Sequence, residues 1–206
     1  MIEIVDYEAG NLTSVKRALD YLGIASRITA DARRIRAAER IIFPGVGAAG
    51  SAVKTLKQRD LYAALREAYA KGTPMFGVCL GTQIVLSRSD EDGGVDCLDL
   101  IPGRVVRFQL NNPALKIPHM GWNAVRVSRP HPLLAGVGPH DEFYFVHSYY
   151  PQPVSSDDVI ATTEYETVFA SVLGRRNLFA TQFHPEKSGP VGLRLLERFA
   201  TWEGTV

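Results

Sequence analysis

The chain has 206 residues, 46% of them hydrophobic and 22% charged, with 23 basic and 22 acidic side chains and a formal net charge of +1. That balance excludes a surface that holds nucleic acid or membrane by bulk charge, and the length suits one domain with a core of its own. Two cysteines, Cys79 and Cys97, exclude a disulfide framework and show no metal-ligand spacing; with the acidic start MIEIVDYEAGN and no apolar run of membrane-spanning length, the expectation is a cytoplasmic protein that is not exported.

Residues 2–6 form an apolar run ending in Asp6. Asn11 then caps a segment whose Leu12, Val15, Ala18, Leu19 and Leu22 recur at helical spacing, and Gly23 stops it. Residues 25–29 and 40–43 suit two more strands, so the chain opens as β-α-β-β. A glycine-rich loop, PGVGAAGS at 44–51, precedes one long helical stretch at 52–71. The loop has no G-K-[ST] for a P-loop. Gly45, Gly47 and Gly50 meet a dinucleotide pattern only loosely, which leaves a plain turn or a source of backbone N–H groups for an oxyanion.

Residues 74–86, PMFGVCLGTQIVL, read as a short apolar strand running into a helix with Cys79 at the joint. Gly77 and Gly81 flank it as G-x-C-x-G, the pattern of a nucleophile elbow whose turn leaves no room for neighbouring side chains. A thiol at a helix N-terminus gains acidity from free N–H groups, and the Leu80 N–H points where an oxyanion forms. An ordinary buried cysteine beside two turn glycines is the plain alternative.

Residues 87–103 are charged and glycine-containing, which suggests an exposed connection, with Cys97 structural. From Arg104 the texture changes to short strands in antiparallel meanders, at 105–110, 122–127, 142–149, 159–165, 169–173 and 178–183, before an amphipathic helix at 193–202. The fold class is α/β first and strand-rich afterwards.

Five histidines compete as base for Cys79. Pro185 pushes His184 toward extended geometry, where residues two apart share a side, so Glu186 can reach its imidazole. That supplies nucleophile, base and orienter. His131 and His140 lie in polar loop contexts and are expected to be solvated.

The motifs GVCLGTQ and FHPEKS resemble those of class I (triad-type) glutamine amidotransferases, and IVDYEAGNLTSV, FPGVGAAGSA, KIPHMGWN and FVHSYYPQP resemble the glutaminase subunits of imidazole glycerol phosphate synthases within that family. The likeness runs from Ile2 to the last helix. It implies a single domain over 1–206: a three-layer, flavodoxin-like, mostly parallel open sheet with added antiparallel strands in the C-terminal half. It also implies Cys79 as nucleophile, His184 as base and acid, and Glu186 as orienter, hydrolysing L-glutamine to glutamate and ammonia through a glutamyl thioester without cofactor or metal. Gly47, Gln83, Ser148 and Tyr149 would hold the amino-acid end of glutamine, and Val46 and Leu80 would supply the oxyanion hole. A (β/α)8-barrel cyclase partner in a heterodimer would receive the ammonia, faced by His119, Met120, Trp122, Asn123 and Lys187. Glu8, where many relatives carry glycine, and Ala49, where they carry a bulkier residue, depart from the pattern at the edge of the pocket.

Two other functions compete. A stand-alone cysteine hydrolase leaves the apolar PHMGWN segment unexplained, and a dimeric thiol sensor leaves His184 and Glu186 unexplained.

Overall fold

In the computed structural model, which describes residues 1–205, the first apolar run becomes β1 (Ile2–Val5), buried throughout. Helix α1 (Leu12–Tyr21) follows, with Val15, Ala18 and Leu19 turned inward. Next come β2 (Ser26–Thr29) and a short α2 (Ala32–Arg36), which the sequence reading omits. Asp31 starts α2 by accepting the Arg33 N–H at 2.8 Å, a capping signal spread over too few residues to show a period.

Strand β3 (Arg40–Gly45) leads to α3 (Ala49–Gln58) and α4 (Leu61–Lys71). The single helix expected over 52–71 is therefore two, because Asp60 adopts a left-handed φ of 58° that no continuous helix contains.

Strand β4 (Met75–Cys79) ends at the elbow, and α5 (Leu80–Ile84) is only five residues long. The segment expected to be an exposed connection instead carries β5 (Leu86–Ser89) and β6 (Val95–Asp96) and leads into β7 (Ile101–Arg107). Its charges other than Glu91 face outward while Cys97, Leu98 and Leu100 are buried. Backbone N–H groups of residues 98–101 satisfy the carbonyls of Ile84, Val85 and Leu86, which stops α5 early.

Then come β8 (His119–Ala124), β9 (Arg126–Val127), β10 (Glu142–His147), β11 (Tyr149–Pro153), β12 (Val159–Tyr165), β13 (Thr167–Arg175), β14 (Leu178–Thr181) and α6 (Gly189–Thr201). The main sheet has eight strands in the order β2-β1-β3-β4-β14-β13-β12-β9. Its first five run parallel, and β13, β12 and β9 add antiparallel pairings. A four-stranded sheet, β11-β7-β5-β6, and a β8–β10 hairpin complete the strands.

Successive residues of β3 and β4 point to opposite faces. Phe43 and Met75 pack with Val53, Leu56 and Leu65 in one core, while Ile42 and Phe76 pack with Leu19, Leu195 and Phe199 in the other. This three-layer arrangement gathers the carboxyl ends of β3, β4 and β14, where ligands of parallel sheets sit. No helix among the described residues is long and apolar enough to cross a membrane.

Candidate active site

Cys79 stands at the carboxyl end of β4 with φ 54° and ψ −104°, a conformation that strains any residue but glycine. The two flanking glycines explain how the chain tolerates it. A Cβ on Gly81 would lie 1.9 Å from the Phe43 carbonyl oxygen, so α5 can cross the end of β3 only without a side chain there. A Cβ on Gly77 would meet Ala180 at 3.1 Å and the Gly81 carbonyl carbon at 3.3 Å. Thr82 locks the turn by donating its hydroxyl to Thr181 O at 2.6 Å. With α5 so short, the helix dipole is a smaller part of the thiol's surroundings than a full-length helix provides.

His184 follows β14, the neighbour of β4. Its backbone is held by an N–H donated to Tyr144 O at 2.9 Å and by Ser188 Oγ donating to its carbonyl at 2.6 Å. The ring Nδ1 lies 2.8 Å from Glu186 Oε1, with both side chains fully buried. The expected contact is thus made by a different local shape: Pro185–Lys187 is a 3₁₀ turn rather than an extended segment, started by proline's preset φ. The other ring nitrogen, Nε2, has no hydrogen-bond partner among the described residues. Burial alone would keep this imidazole neutral, but the charge of adjacent Cys79, aided by Glu186, raises its pKa to about 10. The pair is therefore close enough for Cys79 to govern the ring's charge without a formed, aligned hydrogen bond, a contact that substrate binding can tighten.

Two residues that sequence reasoning missed complete this group. Asn11, expected to cap α1, makes no cap bond with its side chain and instead donates Nδ2 to Glu186 Oε1 at 3.2 Å. Fully buried Gln182 places Nε2 3.7 Å from Cys79 Sγ. Neither carries a signal in sequence spacing, since both contacts cross more than a hundred residues.

A cavity of about 320 Å³ opens beside Cys79 and is lined by Val46, Gly47, Leu80, Gln83, Ser148 and Tyr149, together with Glu91, Pro118, Val146 and His147. Register explains the first of these, because Gly45 pairs with Cys79 and the glycine-rich loop leaves β3 beside that cysteine. Gln83 spends both Nε2 hydrogens within the protein, on Tyr149 O at 2.9 Å and Gln182 Oε1 at 3.1 Å, which leaves its oxygen as the group for a ligand. Glu91, also missed, accepts the Ala49 N–H at 2.8 Å, and burial raises its carboxyl pKa.

Ala49 and Glu8 are not among the lining residues. Ala49 is fully buried, and Glu8 pairs with Arg59 at the surface from a φ of 72°, a backbone shape that glycine adopts without strain.

On the β8–β10 hairpin, Met120 and Trp122 are 63% and 53% exposed, and exposed Lys187 lies over the Tyr144 ring that touches Trp122. Asn123 is half-buried. His119, expected on the same surface, is 3% exposed and stacked between Phe145 and Tyr165, because β8 alternates and His119 takes the inner face. His131, expected to be solvated, is likewise buried, against Phe179 and Trp202. Cys97 is buried, and burial pushes its thiol up to about 11, which keeps it protonated and inert.

Residues 3–201 match the profile of the family described as "Glutamine amidotransferase class-I". The chain is 46% identical over 205 residues to the "Imidazole glycerol phosphate synthase subunit HisH" of Nitrosococcus oceani, covering 98% of each chain. It is 48% identical to the protein of the same name from Moorella thermoacetica, over 96% of this chain and 93% of that one. A solved structure described as a glutamine amidotransferase shares the fold with a TM-score of 0.71 at 18% identity, over 97% of this chain and 99% of that one. PurLQS from Thermotoga maritima does so with a TM-score of 0.73 at 15% identity, over 96% of each. At those identities the solved structures speak for the fold alone.

Proposed function

The chain belongs to the glutamine amidotransferase class-I family, and from that premise we propose that it is the glutamine-hydrolysing part of an imidazole glycerol phosphate synthase. The observation that carries this reading is a cysteine on a strained elbow beside a buried His184–Glu186 pair, in a chain similar over nearly its whole length to subunits of that enzyme. We read residues 1–206 as one domain, working in the cytoplasm.

The reaction follows from the groups present. Cys79 sulfur attacks the glutamine carboxamide carbon while His184 holds the proton at Nε2. The carboxamide oxygen becomes an oxyanion within reach of the Val46 and Leu80 N–H groups. The tetrahedral adduct collapses as His184 gives its proton to the departing nitrogen, releasing ammonia and leaving a glutamyl thioester on Cys79. Water then attacks the thioester with His184 taking its proton, and glutamate leaves as the sulfur regains its starting state. Glu186 holds the ring so that Nε2 stays directed at the sulfur.

At the other end of glutamine, the Gln83 oxygen and the Glu91 carboxylate are the acceptors for the α-ammonium. A bound ammonium would offset the burial that raises the Glu91 pKa. Ser148 and Tyr149 border the place of the α-carboxylate. Ammonia passes to a (β/α)8-barrel cyclase partner in a heterodimer, which forms imidazole glycerol phosphate and an aminoimidazole carboxamide ribonucleotide. The face of Met120, Trp122 and Lys187 is the docking surface.

The test is glutaminase activity with and without a cognate cyclase and its nucleotide ligand. Low activity alone and strong stimulation in the complex are expected. A free chain that cleaves glutamine or peptides at full speed would sink the subunit reading in favour of a stand-alone hydrolase.

A further inference from the structure

Behind the exposed face of the β8–β10 hairpin lies a chain of hydrogen bonds whose direction can be worked out atom by atom. His147 Nδ1 lies 2.8 Å from the Tyr149 carbonyl oxygen, which only accepts, so Nδ1 carries the hydrogen. Burial lowers the His147 pKa to about 3 and the ring is neutral, so its Nε2 is an acceptor. His119 Nδ1 lies 3.0 Å from that Nε2 and must be the donor. Burial likewise keeps His119 neutral, with a pKa of about 4, and its Nε2 faces Asn123 Nδ2 at 3.3 Å. The Asn123 amide is oriented independently, because Nδ2 also donates to Glu164 O at 3.0 Å while Oδ1 accepts the Ala124 N–H at 2.8 Å. Every link from Asn123 to Tyr149 thus points one way.

The far end of the chain is in the cavity. The Tyr149 carbonyl receives His147 Nδ1–H and Gln83 Nε2–H together, filling its acceptor capacity. Gln83 Nε2 gives its second hydrogen to Gln182, so the Gln83 amide is held with its oxygen outward. We propose that His119 and His147 are positioning residues, a directional relay that anchors the Tyr149 carbonyl from behind and so sets the polarity of Gln83 toward the ligand. This deepens the proposed function and rests on it for the identity of the ligand as glutamine. The other face of the same two strands carries Met120 and Trp122, with Trp122 paired across the hairpin to Tyr144, so the relay and the proposed docking face share one backbone.

Two measurements test the relay. The amide of asparagine can mimic Nδ1 of histidine, whereas that of glutamine mimics Nε2, so His147→Asn retains the donor to Tyr149 O and His147→Gln loses it. In the complex with a cognate cyclase, His147→Gln is expected to raise the KM for glutamine about 3- to 10-fold, the worth of one net hydrogen bond, with kcat within about twofold. His147→Asn should restore most of the KM. Unchanged KM in a folded His147→Gln protein, a loss confined to kcat, or an asparagine variant as damaged as the glutamine variant would overturn the proposal. Should either variant fail to fold, imidazole ¹⁵N spectra of the wild-type chain decide: both rings are expected as neutral Nδ1–H tautomers at neutral pH. An Nε2–H tautomer or an imidazolium at either ring would end the proposal. A wild-type complex that leaves glutamine intact would strike the functional reading instead, and the spectra would still judge the relay.

Discussion

Asn11, at the start of the first helix, donates its side-chain amide to Glu186 Oε1 at 3.2 Å, across 175 residues of sequence. Glu186 Oε2 has no partner among the described residues, where His184 and Asn11 are the side chains that hold this buried carboxylate. On the proposed reading, Asn11→Ala should lower glutamine-driven turnover about tenfold through a looser orienter, because the buried carboxylate loses one of the two side chains that hold it. Asn11→Asp should do more harm by placing a second carboxylate beside the first. Ammonia-driven turnover of the complex is the control and should be retained; equal activity in all three proteins would show that Asn11 has no part in orienting the triad.

Cys79→Ala and His184→Ala should each abolish glutamine-driven turnover and spare ammonia-driven turnover, since added ammonia bypasses this chain's chemistry. Glu186→Gln should retain more activity than either, because an orienter makes no bond to substrate. Loss of both activities in Cys79→Ala would assign the cysteine to structure instead.

On the proposed reading the glycine-rich loop is the place for a gate, and the two glycines of PGVG can be told apart. A Cβ on Gly45 would fall 1.7 Å from the Tyr7 hydroxyl, which itself donates to Pro44 O at 2.7 Å, so Gly45→Ala should disturb packing and lower the melting temperature. A Cβ on Gly47 meets nothing within 4 Å, but its φ of +101° is strained for alanine. Gly47→Ala therefore reports on the backbone beside Val46 alone. If the Val46 N–H joins the oxyanion hole only in the liganded complex, Gly47→Ala should lose much of the about 10²- to 10³-fold that one oxyanion donor supplies. Ligand stimulation at wild-type strength would put the gate elsewhere.

Trp122→Ala tests the docking surface. At 53% exposure beside Met120, the indole covers little of the core, so its loss should leave the melting temperature of the free chain within a few degrees. Assembly with the cyclase, or the yield of product per glutamine consumed, should fall. Normal assembly and coupling together with a large drop in melting temperature would make Trp122 a packing residue.

Acid should destabilise the fold from about pH 6.5 downward. Burial holds His119 and His131 at about 4 and His147 at about 3, against about 6.5 in an unfolded chain. Below that ordinary value the unfolded state takes up protons that the folded state refuses, so stability is present above about pH 6.5 and lost as pH falls. His184 is raised rather than lowered, and its contribution is fully present throughout this window. The melting temperature should fall steadily from about pH 6.5 to about pH 4.5, which scanning calorimetry reads. A rise over that interval would mean that these histidines are protonated in the fold.

Much of the site was legible in local sequence because local sterics create it. A tight strand-to-helix turn needs Gly77 and Gly81 around Cys79, and a histidine two residues from a carboxylate reaches it through the turn that Pro185 begins. β12 was legible for the same reason, as a period of two survives in any half-buried strand. Other features depended on contacts between distant segments. The 87–103 stretch looked like a loop because its charges hide the buried Leu98 and Leu100, whose place is decided by carbonyls of the elbow helix. One helix over 52–71 became two through a single left-handed residue, Asp60, which the apolar period runs past. His119, expected on the face turned to a partner, and His131, expected in solvent, are both buried, since a histidine's exposure is set by which rings pack around it. Gln182 after β14, Asn11 after β1 and Glu91 after β5 of the second sheet reach the site through tertiary structure: each strand's pattern is written in local sequence, but only the folded chain, by setting β14 beside β4 and β4 beside β3 and by joining Asn11 to Glu186 and Glu91 to the Ala49 N–H, brings these side chains around one cysteine.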